Sequence, residues 1–134
     1  MIKKENRFDE YSYRVASLPL DPTVERIEEG QWVTIKGGKL VLAGADTKKA
    51  FIAIGSKREG RDQVSGKALQ KVAFLVGNFM LTVSNIDLEK SYDPDMTPLK
   101  VVEGGILAPV EGDETVVAYA IGQPVAGYVR IVNA

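Results

Sequence analysis

Glu29-Gly-Gln-Trp-Val-Thr-Ile-Lys-Gly-Gly-Lys-Leu-Val-Leu-Ala-Gly44 is the stretch of sequence that decides the fold. Two short apolar runs in it, 32–35 and 40–43, flank Gly37-Gly38. Glycine accepts positive φ at little cost, as the tight turn of a two-residue hairpin requires. The stretch therefore predicts a β-hairpin, with Trp32 anchoring a core, and it contains no motif that points to catalysis.

Similar β-branched and aromatic runs recur along the chain, each bounded by Gly, Pro, Asn or Asp, which is typical of antiparallel strands. Gly77-Asn78 and Gly104-Gly105 also stand between two runs and predict two further hairpins. Residues 59–70 and 91–98 are expected to be loops, because they carry internal glycines and prolines. The pattern predicts an all-β fold, a small antiparallel β-barrel or sandwich, and a jelly roll also fits. The further apolar runs are at 50–54, 72–76, 79–83, 99–102, 116–121 and 128–132.

The amino-acid composition excludes several classes of function. The chain has 134 residues, which fits one domain, and a net charge of −1, which gives no global field to attract nucleic acid or an anionic membrane. It contains no cysteine and no histidine, so thiolate nucleophiles, imidazole bases and most zinc sites are excluded. There is no secretory signal and no run of about 18 apolar residues that could span a membrane. We therefore expect no enzyme activity, no cofactor and no resident metal.

Two segments partly match known binding motifs. Gly55 and Gly60 have the spacing of a phosphate-binding loop, but Arg61 and Asp62 stand where that motif requires Lys and Ser or Thr. The acidic segment 87–95 could supply oxygen ligands to a cation, but it lacks the spacing and the glycine of an EF-hand loop. Both segments are interpreted as solvated loops, and an ion bound in the acidic one stays an open alternative.

Residues 1–22 are predicted to form an extended N-terminal arm and linker, and residues 23–134 a single β domain. The first 14 residues are too charged to enter a core, yet they contain three aromatic side chains, which is typical of an interface. The candidate arm anchors are Phe8, Tyr11 and Tyr13, with Arg7 and Arg14 beside them.

Charge is distributed unevenly along the sequence. Segment 57–71 has five basic and two acidic residues, net +3, whereas segment 85–114 has eight acidic and two basic residues, net −6. Such asymmetry would steer one copy toward another or toward a charged partner. Lys57, Arg58 and Arg61 are therefore candidate contact residues.

The order of these segments resembles the small head decoration, or cement, proteins of tailed bacteriophages. The resemblance covers residues 28–132 and rests on 29–44, 50–55, 99–109 (LKVVEGGILAP) and the closing 127–132 (GYVRIV). It implies an all-β protein on the outer capsid surface, made in the host cytoplasm, that bridges major capsid proteins as a trimer or, as second choice, a dimer. The charged, aromatic arm departs from the small-residue arms of some relatives.

From the sequence we expect a capsid decoration protein that binds the major capsid protein through its barrel and arm, and itself as a homo-oligomer. One alternative is another virion β-module, such as a tail-tube or fibre-associated protein. Another is a soluble module for sugars or single-stranded nucleic acid. The single Trp and the lack of aromatics between the basic residues of 57–71 argue against the last alternative.

Overall fold

The computed structural model describes residues 13–61 and 68–134, with the backbone alone at residues 13, 56–61 and 68–70. This part of the chain contains ten strands and no helix, which confirms the all-β prediction. The strands are β1 Tyr13–Pro19, β2 Trp32–Lys36, β3 Lys39–Leu42, β4 Phe51–Arg61, β5 Ala68–Gly77, β6 Met80–Val83, β7 Met96–Val102, β8 Ile106–Pro109, β9 Ala118–Val125 and β10 Tyr128–Asn133.

The strands form two antiparallel sheets that follow one plan. The first sheet has the order β1-β5-β4-β2-β3 and the second the order β6-β10-β9-β7-β8. Adding five to each strand number of the first sheet gives the second. We call residues 13–77 the first unit and residues 78–134 the second unit. Because each sheet uses five consecutive strands, the fold is a pair of packed sheets and not a jelly roll, in which the strands alternate between the sheets.

Each sheet curls until its two edges meet at one point. Leu20, just after β1, forms a parallel bridge with Leu40 on β3, and Ile86, just after β6, forms the same bridge with Leu107 on β8. The amide of Asp21 donates to the carbonyl of Leu40 at 3.0 Å, and its counterpart Asp87 donates to Leu107 at 2.8 Å. The two units thus close in the same way, each through one bridge between its two edges.

Strand register agrees between the units as well. Ala53 pairs with Phe74 in the first sheet, and Ala120 pairs with Ile131 in the second. Both alanines belong to an Ala-Ile-Gly triplet, at 53–55 and 120–122, and a β-bulge follows in each long hairpin. The equivalences used below follow from these pairs.

The two faces of the first sheet pack into different cores. Side chains alternate across a strand, so Val33, Ala53 and Phe74 point inward, into a core closed by β1 and residues 20–27. The outward-pointing row of Trp32, Ile52 and Leu75 is buried against the inner face of the second sheet. The ring centroids of Trp32 and Phe79 lie 6.4 Å apart in this shared core, which confirms that Trp32 anchors it.

Of the three predicted hairpins, the first is confirmed in full. Lys36 pairs with Lys39, and Gly37 and Gly38 have φ of 59° and 77°, as the two-residue turn requires. The second is wrong, because Gly77-Asn78 connects β5 of one sheet to β6 of the other. The third exists as β7–β8, but its loop has three residues, since Val102 pairs with Ile106.

Three predicted segment boundaries also change. Residues 13–19 lie in β1 and pair with β5, so a 1–22 arm and linker is wrong for that part; residues 1–12 lie outside the described residues. Segment 59–70 was predicted as a loop, but β4 and β5 extend into it from both sides. Segment 91–98 likewise ends in strand, because β7 begins at Met96 and Pro98 pairs with Tyr119. In each case long-range pairing overrides the local Gly and Pro signal.

Candidate contact surfaces

Of the predicted arm residues, Arg7, Phe8 and Tyr11 lie outside the described residues. Tyr13 is the first residue of β1, where its backbone pairs with Gly77. Arg14 follows it, exposed, and pairs with Val76 on β5. The structure therefore places these two residues at the edge of the first sheet, where the N-terminal segment joins it.

This junction carries exposed apolar side chains that the sequence analysis did not single out. Val15 is 56% exposed and Val76 is 38% exposed, on adjacent strands beside Arg14. Val15 extends the outward row of the first sheet past the region that the second sheet covers, since it pairs with the buried Leu75. Arg14 and Val76 lie on the opposite face of the sheet from Val15, because side chains alternate along a strand, and we call these three residues of the sheet edge the edge patch.

The predicted basic contact residues lie on the longest hairpin of the described chain. Lys57, Arg58 and Arg61 are on β4, where their backbones pair with Lys71, Gln70 and Ala68 of β5. The prediction of a basic surface segment in a loop is thus corrected to two strands, of 11 and 10 residues. The structure describes only the backbone of these three residues, and so gives their positions along the strand but not their side chains.

A second surface was missed by sequence reasoning. The outer face of the second sheet carries a row that runs across four strands, Pro98 to Tyr119 to Val132 to Met80, with Met96 paired to Ile121 alongside. Met96 is 55% exposed and Ile121 is 38% exposed, and the other four are partly exposed. We call these six residues the open face. Contiguous apolar surface with polar residues around it is typical of a protein contact site.

The open face is the counterpart of a surface that is buried in the first unit. The pair Trp32 and Ile52 corresponds to Pro98 and Tyr119, and Leu75 corresponds to Val132. The first-unit residues are at most 2% exposed, because the second sheet covers them. Sequence spacing could have revealed this correspondence, since Gly-Gly-x-Leu occurs at 37–40 and again at 104–107, and Ala-Ile-Gly recurs at the same separation.

The two short hairpins also differ in their surroundings. In the β7–β8 turn, the carbonyl of Gly105 accepts a 2.9 Å hydrogen bond from the amide of Trp32, and the carbonyl of Gly104 accepts one of 3.1 Å from Gln31 Nε2. The equivalent β2–β3 turn has no atom within 4 Å of a Cβ placed on Gly37 or Gly38. Its flanking residues Ile35, Lys36 and Lys39 are exposed. We call residues 35–39 the open hairpin.

Two carboxylates of the acidic segment 87–95 accept hydrogen bonds from the segment's own backbone. The Oδ1 atom of Asp87 accepts from the amide of Glu89 at 3.0 Å, and the Oδ1 atom of Asp93 accepts from the amide of Asp95 at 2.8 Å. In the described parts of the chain no three acidic side chains cluster closely enough to hold a metal ion. The buried Tyr92 hydroxyl donates to the carbonyl of Asp87 at 2.7 Å, and burial, with the Asp87 charge second, raises the pKa of Tyr92 to about 12.

Two hollows in the described part of the chain are candidate ligand sites. The larger, about 380 Å³ and open to solvent, lies between segment 88–92 and the end of β9. The Gln123 side-chain amide donates a hydrogen bond to the carbonyl of Tyr92 at 3.2 Å. This amide N–H therefore already has a partner in the wall of the hollow. The smaller, about 90 Å³, lies between the sheets beside Trp32 and Phe79. The larger hollow is lined by the polar side chains of Lys90, Ser91 and Gln123 and is open to solvent, whereas small-molecule sites are mostly apolar and enclose their ligand.

Comparisons with protein-family models, with curated proteins and with solved structures each find no match for this chain. No helix in the described residues is long and apolar enough to cross a membrane. Four surfaces of the described chain are candidates for contact with a partner: the edge patch, the open face, the open hairpin and the basic β4–β5 hairpin.

Proposed function

We propose that this protein decorates the outer surface of a tailed-phage capsid and stabilises the shell by bridging major capsid proteins. The curled sheets provide a rigid body, and the N-terminal segment provides an additional anchor. A clamp of this kind needs contact surface and many copies, and the strength of each contact adds to the next. It would act in the virion, without membrane or nucleic acid as partner.

The observation that carries this proposal is the edge patch. Val15 on one face of the sheet edge, and Val76 beside Arg14 on the other, expose apolar surface at the point where the aromatic N-terminal segment joins β1. Phe8, Tyr11 and Tyr13 would extend this patch along the chain, with Arg7 and Arg14 as charged companions. Aromatic and arginine side chains dominate the binding energy of many interfaces, so the combination supports docking on a protein surface.

The basic β4–β5 hairpin supports a second contact with the shell. Lys57, Arg58 and Arg61 lie along one strand of a hairpin longer than the others in the described chain. A basic hairpin favours an acidic region of the major capsid protein and would speed the encounter more than it tightens the complex. Its contribution should therefore weaken as salt is raised.

Co-sedimentation with purified capsids tests the proposal. The intact protein should bind expanded heads saturably, with a copy number set by the capsid symmetry. Deleting residues 2–12 keeps β1 whole and should lower the affinity at least roughly tenfold, as loss of anchoring aromatics does elsewhere. Val15→Asp should also weaken binding, whereas Val125→Asp, which changes the 75% exposed Val125 of the second unit, is the matched control.

Unfolding midpoints of all variants should stay close to that of the intact protein, so that weaker binding reports a lost contact. Undiminished affinity after deletion of residues 2–12 and in Val15→Asp would overturn the role of the N-terminal segment and edge patch. Failure of the intact protein to bind heads, with binding to tails instead, would replace decoration by the tail-associated alternative.

A further inference from the structure

The second unit leaves exposed an apolar surface whose counterpart in the first unit is buried. Ile54 of the first Ala-Ile-Gly triplet packs against the shared core, whereas Ile121 of the second triplet is 38% exposed beside Met96. Tyr119 and Val132 correspond to the fully buried Ile52 and Leu75. The second sheet therefore presents a packing surface with nothing from its own chain above it, as far as the described residues extend.

The first unit has the complementary feature. Within the chain, the β7–β8 turn docks beside Trp32, at one end of the buried outer row. The equivalent turn of the first unit is the open hairpin, whose glycines have no neighbour within 4 Å of an added Cβ among the described residues. Ile35 at its base is 45% exposed. The described part of each chain thus exposes the open hairpin on its first unit and the open face on its second.

The two units carry opposite charge. The first has eleven basic and seven acidic residues, net +4, and the second has three basic and eight acidic, net −5. Lys36 and Lys39 belong to the open hairpin. Hydrogen bonds from Thr23 lower the pKa of the nearby Asp21, and the charges of both lysines lower it further. Asp93 and Asp95 lie beside Met96 at the margin of the open face, and Arg130 is paired with Ile121 on it. Like faces would repel each other, whereas the first unit of one copy attracts the second unit of another.

We infer that a second copy of this chain docks head to tail, with its open hairpin on the open face. Ile35 packs against Met96 and Ile121, while Lys36 and Lys39 approach Asp93 and Asp95. The inference does not rest on capsid binding, because it concerns the purified protein alone. It names the surface through which the oligomer of the proposed function would form.

The contact between copies differs from the one inside the chain in one respect. In the contact inside the chain, the backbone N–H of Trp32 donates a hydrogen bond to the carbonyl of Gly105. The equivalent residue of the second unit is Pro98, which has no N–H to donate. Apolar contact and ion pairing are left to hold the copies together, so the association is weaker than the internal one and salt-dependent. Two different surfaces meet, so the assembly closes into a ring or grows as a chain.

Sedimentation velocity of the full-length protein over a range of concentration and salt tests this. We expect reversible association that weakens at least tenfold between 50 mM and 500 mM NaCl. Asp93→Lys with Asp95→Lys reverses the acidic margin, and Lys36→Glu with Lys39→Glu reverses the open hairpin. Each double variant should be monomeric where the intact protein associates, and an equimolar mixture should associate again, because both new contacts then join opposite charges.

Two further variants separate this surface from a general charge effect. Glu25→Lys with Glu28→Lys changes the net charge as much as Asp93→Lys with Asp95→Lys does, but at exposed positions elsewhere on the first unit, and should leave association unchanged. Met96→Ser with Ile121→Ser should weaken association at least tenfold at every salt concentration. Circular dichroism and unfolding midpoints verify that each variant folds.

Several results would overturn the inference: a monomer at all concentrations and salts, association that the charge reversals leave intact, or a mixture of the reversed variants that stays monomeric. The proposed capsid function would survive any of them, since co-sedimentation with heads tests it separately.

Discussion

The outer faces of the two sheets have the same strand pairs and different surroundings. In the first unit the row of Trp32, Ile52 and Leu75 lies under the second sheet, and in the second unit the row of Pro98, Tyr119 and Val132 faces outward. The residues differ accordingly, with large apolar side chains in the covered row and a proline and a tyrosine in the open one. Strand register thus determines the face on which a side chain lies, and the neighbouring unit determines whether that face is buried.

Truncating equivalent residues of the two rows should have very different effects. Ile52→Ala removes a fully buried side chain and should lower the free energy of unfolding by about 3–4 kcal/mol, from lost burial plus the cavity left behind. Tyr119→Ala should cost about 1 kcal/mol, since its side chain is partly exposed. Urea denaturation of dilute protein measures both. Equal losses would mean that the second row is covered as well as the first.

The two hairpin glycines allow a sharper comparison. Gly105→Ala and Gly38→Ala both place a side chain at positive φ, which costs about 1 kcal/mol. Only at Gly105 would the new Cβ lie 2.8 Å from the carbonyl oxygen of Trp32 and 3.0 Å from its amide nitrogen. We expect a total of about 3 kcal/mol there, because the clash forces the backbone to shift. The difference between their urea midpoints isolates the contact between the units, and matching midpoints would argue against it.

The connections that lead into β2 and β7 should respond differently to pH. The first inserts the apolar Ile27 into its core, and the second inserts Tyr92. Burial raises the folded pKa of Tyr92 from its usual 10 to about 12, so its contribution is complete below pH 10 and is lost as the pH rises toward 12.

Unfolding free energy should therefore fall between pH 10 and 12, and Tyr92→Phe should flatten this fall relative to the intact protein. Ile27→Val is the control and should keep the slope. An unchanged slope in Tyr92→Phe would assign the alkaline sensitivity to other groups.

The smallest effect concerns the β9–β10 turn. Ala126 has φ of 52° and is followed by Gly127 at 81°, whereas the two-residue turn between β2 and β3 uses two glycines. Ala126→Gly or Ala126→Asn should raise stability by about 0.5–1 kcal/mol, because alanine is strained there. Ala45→Gly, at an exposed position without positive φ, should not stabilise. A lower thermal midpoint for Ala126→Asn would contradict this account.

Local signals in the sequence account for the correct part of the fold prediction. Gly37-Gly38 specifies a turn because both residues take positive φ, and the apolar runs specify strands because they alternate or are fully buried. The same signal at Gly77-Asn78 failed, because a turn does not say which partner the next strand will find. The sequence predicts an arm and linker where β1 lies, because its partner strand β5 is more than fifty residues away and no local signal points to it.

The contact surfaces were harder to predict than the strands. Ile54 and Ile121 occupy identical triplets, yet one packs against the core and the other is exposed. Burial depends on which sheet lies above the other, which no local pattern records. The spacing of the two Gly-Gly-x-Leu segments does reveal the shared plan, and with it the equivalence of the covered row and the open face.

The contiguity of each unit in sequence has a consequence for biosynthesis. The first unit can form all its strand pairs before residues 78–134 leave the ribosome, since its sheet uses only strands β1 to β5. At about 5–20 residues per second, Trp32, Ile52 and Leu75 then face water for roughly 3–11 s until the second sheet arrives to cover them. During translation the nascent chain thus exposes an apolar surface for a short time, and ribosome-associated chaperones are the natural candidates to cover it.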